Sequence, residues 1–160
     1  MDMELCHLQL PGTSLSRSAT DLAHWIQADI VALQSTSAFV DEAGREITQS
    51  NANGWLQISW PYPRGATGPL QNRSCGVAIL LRKQAFRRTD VKAVWQPDPS
   101  LRGRGGAVRV ARRREFDFII FTIYDPVERG RNEVPAVDAI LAWADTVLAA
   151  CSARTLPVLC

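Results

Sequence analysis

Several polar side chains follow directly on apolar runs, where an α/β protein usually places its ligands. Gln9 lies near the end of an apolar segment at residues 4–10, and Gln34 and Ser35 follow the apolar run in ADIVALQ. Tyr124 ends the run FDFIIFTIY. Amide, hydroxyl and phenol groups can hold a phosphate or orient a ligand, but none is a strong acid, base or thiol. The corner after ADIVALQ therefore has the position of an active-site corner but carries no acid, base or thiol of its own.

A second chemical feature is a run of arginines with no acid among them. It comprises Arg102, Arg104, Arg109, Arg112, Arg113 and Arg114. Guanidinium groups suit phosphate oxygens by bidentate geometry, so the run predicts a nucleic-acid contact carried by Arg109, Arg112, Arg113 and Arg114. The alternative is a solvated hairpin in an arginine-rich chain, because the sequence holds sixteen arginines against two lysines.

Length and composition limit the classes of protein to which this chain can belong. The 160 residues suffice for one compact domain, and a net charge of +2 does not by itself imply a nucleic-acid partner. The four cysteines are scattered, which argues against both a zinc site and a disulfide framework. No apolar run approaches the ~20 residues of a membrane helix. We expect an intracellular monomer, nuclear or cytoplasmic, without a membrane partner.

Periodicity predicts the elements that must position these residues. Helices are expected over 13–27 and 133–151, and strands over 4–10, 29–34, 55–60, 75–83, 91–95, 106–111, 116–124 and 155–160. The segment Arg112–Glu115 is expected to be a hairpin turn. Most tryptophans are expected in the core, with Trp60 and Trp95 as surface exceptions. The chain stops within its last strand, so we expect residues 1–160 to form a single domain that is incomplete at its C terminus.

The order and spacing of four segments resemble the endonuclease/exonuclease/phosphatase superfamily, which includes DNase I-like enzymes and apurinic endonucleases. The segments are ADIVALQ, CGVAILLRK, FDFIIFTIYDP, and the last helix leading into LPVLC. The arginine-rich stretch before FDFIIFTIYDP most resembles endonucleases of LINE-type retrotransposons. The resemblance implies an α/β (α+β) fold, a four-layer αββα sandwich of two mixed β-sheets. It also implies Mg²⁺-dependent phosphodiester cleavage of nucleic acid.

The family's site positions are only partly matched. Gln9 stands where the family has asparagine, and Ser35 stands where it has a metal-binding glutamate. Tyr124 matches the family tyrosine that orients the scissile phosphate. The expected Gly-Asp-x-Asn and Asp-His segments would lie beyond Cys160. Serine is a poor Mg²⁺ ligand, so we predict no metal ligand in this chain and a degenerate, inactive site at Gln9 and Ser35.

Other interpretations remain open at this point. The chain could be a non-catalytic module that keeps the sandwich and binds nucleic acid or protein. A longer protein could be an active enzyme with a shifted metal ligand, Asp41 or Glu42. Ser35 could be a plain turn serine, and Tyr124 a plain strand-end aromatic.

Overall fold

A computed structural model describes residues 3–9, 27–34, 36, 47–52, 54–61, 76–124, 134–151 and 156–159. The described residues form nine strands and one α-helix. The strands are β1 (Leu5–Gln9), β2 (Ile30–Gln34), β3 (Thr48–Ala52), β4 (Trp55–Trp60), β5 (Val77–Arg82), β6 (Val91–Trp95), β7 (Gly105–Arg112), β8 (Phe116–Ile123) and β9 (Leu156–Leu159). The helix is α1 (Val134–Ala149). Short 3₁₀ helices span Arg88–Asp90 and Pro99–Leu101.

The first sheet has the strand order β1-β2-β5-β4-β3. β1 and β2 are parallel, with Gln9 opposite Gln34, and the other pairs are antiparallel. Every residue of β5 from Val77 to Leu81 is buried, which explains its continuous apolar run. The strand–helix–strand opening expected from the sequence is thus confirmed in its strands, while the helix over 13–27 lies outside the described residues.

The second sheet has the order β6-β7-β8-β9. β7 and β8 form the predicted hairpin, with Arg112 opposite Phe116, and Glu115 N–H donates to Arg112 O at 3.0 Å. β9 runs parallel to β8. Parallel neighbours need a crossover connection, and α1 lies between these two strands in the chain. Both sheets are therefore mixed, as the resemblance implied.

The two sheets pack face to face over one apolar core. Inner-face side chains of β4 and β5 such as Ile58 and Ile79 meet Val108 and Ile120 of the second sheet. On the outer face of the second sheet, Ala107, Ile119 and Phe121 pack against Ala144 and Val147 of α1. The described layers are sheet, sheet and helix, which confirms the α/β sandwich.

Two features of the fold differ from the sequence-based prediction. β3 was not expected, because TQSNA has no apolar alternation and joins the sheet through its backbone pairing with β4. Trp60 was expected at the surface, but only 1% of it is exposed. It belongs to the core between the sheets, so that expectation was wrong.

The hairpin turn contains a residue in the left-handed backbone region. Arg114 has φ of 65°, and no other described non-glycine residue has a positive φ. That conformation costs an ordinary residue roughly 1–2 kcal/mol and costs glycine little. The turn is therefore built with local strain at an exposed arginine.

This strain predicts opposite effects for two adjacent substitutions. Arg114→Gly should leave the free energy of unfolding unchanged or raise it by up to about 1 kcal/mol, since relieved strain offsets the added unfolded-state entropy. Arg113→Gly, the matched control, should lower it by roughly 0.5–1 kcal/mol. Urea denaturation measures both values. Equal stability of the two variants would contradict the strained turn.

Arg112 joins the hairpin to the segment that precedes β6. Its guanidinium donates to Asp90, to Ala85 O at 2.9 Å and to Glu115 Oε2 at 3.0 Å, and it lies 5.1 Å from the ring centre of Phe116. Burial alone would raise the pKa of Asp90. The hydrogen bonds from Arg112 and from the Arg87 backbone N–H outweigh it and, with the charges of both arginines, bring the pKa of Asp90 below its ordinary value.

This lowered pKa makes stability depend on pH in acid. The ionised Asp90 stabilises the folded state fully above its unfolded-state pKa of 3.8, and that contribution is lost as pH falls through the lower folded-state pKa. Asp90→Asn should be less stable than the wild type at neutral pH and should lose less stability below pH 3.8. Thermal melts across this range test it, and parallel pH profiles for the two proteins would refute the pairing.

Candidate functional site

The predicted site residues on strands lie at one end of the sandwich, which we call the site end. β1, β2, β4 and β8 finish there, and β5 and β7 begin there. The strand register shows this. In the first sheet, Gln34 pairs with Gln9 and Val77, and Trp60 also pairs with Val77. In the second sheet, Gly105 pairs with Ile123. The opposite end holds the turn after β5, the 3₁₀ helix 88–90 and the hairpin turn 113–115. We call it the distal end.

Hydrogen bonds join the two sheets at the site end. Gln34 Nε2 donates to Ile123 O at 2.5 Å, across 89 positions of the chain. Gly76 N–H, next to β5 of the first sheet, donates to Gly103 O, which precedes β7, at 3.0 Å. Thr36 N–H donates to Gly76 O at 3.1 Å and extends the pairing of β2 with β5 within the first sheet. The sequence prediction gave Gln34 no role. Its only signal was a long amide at the end of a buried strand, which does not identify a partner.

Trp60 and Gly106 determine how closely the sheets approach here. A Cβ at position 106 would lie 2.2 Å from Trp60 Cδ2, so the indole occupies the space that any other residue would need. Gly106 pairs with Thr122, whose side chain is fully buried beside this contact. Glycine is required at 106 because the ring is packed directly on its backbone.

Because of this contact, we expect a methyl group added at position 106 to destabilise the protein more than one added at position 105. Gly106→Ala should lower the free energy of unfolding by about 1–3 kcal/mol through overpacking against the rigid indole. Gly105→Ala is the matched control, since its Cβ would meet the flexible Cδ1 of Ile140 at 2.8 Å. Gly105→Ala should lower the free energy of unfolding by less than Gly106→Ala does. Chemical denaturation of both variants measures the difference, and a larger loss for Gly105→Ala would contradict this packing.

Three buried polar atoms at the site end have no hydrogen-bond partner within the described part of the chain. They are Thr36 Oγ1, Trp60 Nε1 and Thr122 Oγ1. All three can donate, and an unsatisfied buried polar group costs free energy. Sequence reasoning missed all three, since nothing in a lone threonine or tryptophan indicates a missing partner. The site end therefore has surplus donors.

Tyr124 lies where the sequence predicted it, at the end of β8. Its backbone N–H donates to Arg104 O at 2.7 Å, and its half-buried ring packs against the core between the sheets. Arg104 lies directly opposite and is only 8% exposed. Gln9 lies at the same end by its backbone pairing, while Ser35 falls outside the described residues. The role of Tyr124 in phosphate orientation stays a prediction.

Among the described residues, the side chains at this end do not fit a hard divalent cation. Mg²⁺ is held mainly by carboxylates and water, whereas Gln34, Thr36, Thr122 and Tyr124 are neutral. Arg104, opposite Tyr124, adds no ligand, because a guanidinium has no acceptor atom. Among the described residues no group of three or more His, Cys, Asp or Glu could hold a metal ion. The residue after Gln34 in the chain is serine, which supplies no carboxylate either.

The arginine run does not form one patch with Tyr124. Strand alternation points Arg109 to the outer face, where it makes a bidentate pair with Asp117 at 2.9 and 2.7 Å. Arg112 is engaged by Asp90 and Glu115. Arg113 and Arg114 are exposed at the distal end, about 24 Å along β7 from the site end. Residues adjacent in sequence are thus divided between two faces and two ends.

Comparison with known proteins supports the fold. The AP endonuclease LMAP from Leishmania major matches with a TM-score of 0.53 at 14% identity, over 89% of this chain and 45% of that one. The chain has the α/β sandwich fold of an AP endonuclease. The Xenopus laevis APE2 catalytic domain matches with a TM-score of 0.45 at 14% identity, over 91% of this chain and 52% of that one. The sandwich expected from the endonuclease/exonuclease/phosphatase resemblance is therefore confirmed as a fold.

The remaining comparisons assign no activity to this chain. The chain spans less than half the length of LMAP. No protein-family model matches the sequence, and no curated protein matches it either. No helix among the described residues is long and apolar enough to cross a membrane.

Proposed function

We propose that this chain is a degenerate phosphodiesterase-type sandwich that does not itself carry out metal-dependent cleavage of nucleic acid. The observation that carries this proposal is the chemistry of the site end. The side chains that Mg²⁺ chemistry would need are carboxylates, and the described strand ends supply amide, hydroxyl, phenol and guanidinium groups instead. The fold likeness to LMAP supports descent from a nuclease-like sandwich.

Polar groups at this end serve the packing of the sheets. Gln34 donates its amide to Ile123 O, so that amide is already committed within the protein. Arg104 is buried opposite Tyr124, whose backbone N–H donates to its carbonyl oxygen. Within the described residues, no group of three or more His, Cys, Asp or Glu could hold a metal at this end. Loss of a metal ligand removes polarisation of the phosphoryl oxygen and activation of water.

A nicking assay tests the proposal. Supercoiled plasmid and a duplex with one abasic site are incubated with this chain and Mg²⁺ or Mn²⁺, with and without EDTA. We expect no nicking above that of a heat-denatured sample, because no group of acidic side chains among the described residues could hold the metal. Cleavage that requires the metal and is abolished by EDTA would overturn the proposal. Cleavage that persists in EDTA would indicate a contaminating nuclease and is removed by further purification before scoring.

A second candidate function is a binding module that acts without catalysis. It is favoured by Arg113 and Arg114, which are exposed while Arg109 and Arg112 form ion pairs. Binding by these arginines would be salt-dependent, since counterions are released from the phosphate backbone. The two candidates are compatible, because binding at the distal end does not need a working site end.

A further inference from the structure

We propose that the distal end of the sandwich is a nucleic-acid-binding surface, separate from the site end. Among the described residues, all the exposed cations lie there. They are Lys83, Arg87, Arg88, Lys92, Arg113 and Arg114. The inference deepens the binding-module function and rests on it, but it does not depend on whether the site end cleaves. Four of these residues, Lys83, Arg87, Arg88 and Lys92, lie outside the arginine run at residues 102–114.

Arg112 brings the two cationic segments together. Its hydrogen bonds to Ala85 O and Asp90 tie the segment 83–90 to the hairpin, whose turn carries Arg113 and Arg114. Lys92 Nζ donates to Thr89 O at 2.7 Å, which holds its charge against the same segment. Residues 20 to 30 positions apart in the chain therefore present their charges on one rigid surface. A preformed surface avoids the ordering cost of binding.

The acids near this surface do not cancel its charge. Asp90 is 4% exposed and bound by Arg112, which also pairs with Glu115. Asp29 lies 3.8 Å from Arg82, a half-buried arginine outside the six. The exposed Glu4 directly precedes β1, two strands away from β5. Arg112 offsets one of the two charges of Asp90 and Glu115, and Arg82 offsets that of Asp29. The six exposed cations therefore outnumber the acids near them within the described part of the chain.

The chemistry of the surface favours a phosphate backbone over other polyanions. Four of the six cations are arginines, in the adjacent pairs Arg87–Arg88 and Arg113–Arg114, and guanidinium matches phosphate in bidentate geometry. Two shallow depressions open here, one lined by residues 111–117 and one by residues that include Arg88 and Lys92. Among the described residues, the exposed large apolar side chains are Leu5 and Leu141, and neither lies in the cationic segments 83–92 and 111–117. Those segments therefore provide no apolar anchor for membrane insertion.

The test measures binding of this chain to a labelled short DNA duplex and to the corresponding single strand by fluorescence anisotropy across a salt series. The variants are Arg87→Ala with Arg88→Ala, and Arg113→Ala with Arg114→Gly. Each pair should make the slope of log K against log salt shallower by about one to two and weaken binding roughly tenfold or more. Gln84→Ala, a neutral exposed change in the same segment, is the control and should alter neither value.

Circular dichroism and thermal melts confirm that the variants, all at exposed positions, remain folded. Salt-dependent binding with unchanged slopes in both variants would leave the binding-module function intact and overturn the distal surface. Absence of salt-dependent binding by the wild type would overturn both. Equal competition by polyglutamate, or equal binding to phosphatidylserine vesicles, would assign the surface to an acidic protein or a membrane and overturn the nucleic-acid proposal.

Discussion

The contact of the Trp60 indole with the backbone of Gly106 is the constraint on which the site end depends. It places a large ring where no side chain fits at 106, and so it sets the separation of the two sheets at that end. At this separation Gln34 reaches Ile123 O from the other sheet. The same burial leaves Trp60 Nε1 and Thr122 Oγ1 without partners among the described residues.

The described strand-end side chains that meet at the site end, Gln34, Thr36, Thr122 and Tyr124, are neutral, and this supports the proposal that it has no metal chemistry. The resemblance in sequence would instead imply carboxylates that hold a hard cation there. Here the strand-end polar groups either join the sheets, as Gln34 does, or lie buried as donors. Arg104 adds no metal ligand, because a guanidinium has no acceptor atom. Among the described residues, the exposed cations lie at the distal end instead.

Much of the fold could be predicted from the sequence, and the reasons are local. Continuous apolar runs mark β2, β5 and β8, and a helical stripe marks α1, because burial on one or both faces fixes those patterns. β3 could not be predicted, since its residues are polar and its strand geometry comes from pairing with β4. Trp60 was misplaced because an aromatic at a strand end does not show which face it takes.

The candidate site was less predictable than the fold. The end of each strand could be located, and the register places Gln9, Gln34 and Tyr124 at one end of the sandwich. The hydrogen-bond partner of a site side chain can lie far away in the sequence, as Ile123 does for Gln34. The arginine run shows the same limit, because strand alternation sends Arg109 to Asp117 and Arg112 to Asp90, which linear spacing does not reveal.

We propose that the site end does not bind a divalent metal, and paramagnetic broadening of amide signals tests this. Mn²⁺ is titrated into ¹⁵N-labelled protein while the amide signals of Gln34, Gly76 and Tyr124 are followed. We expect these signals to broaden no more than those of core amides such as Ile79. Selective broadening of the three signals at substoichiometric Mn²⁺, reversed by EDTA, would contradict it.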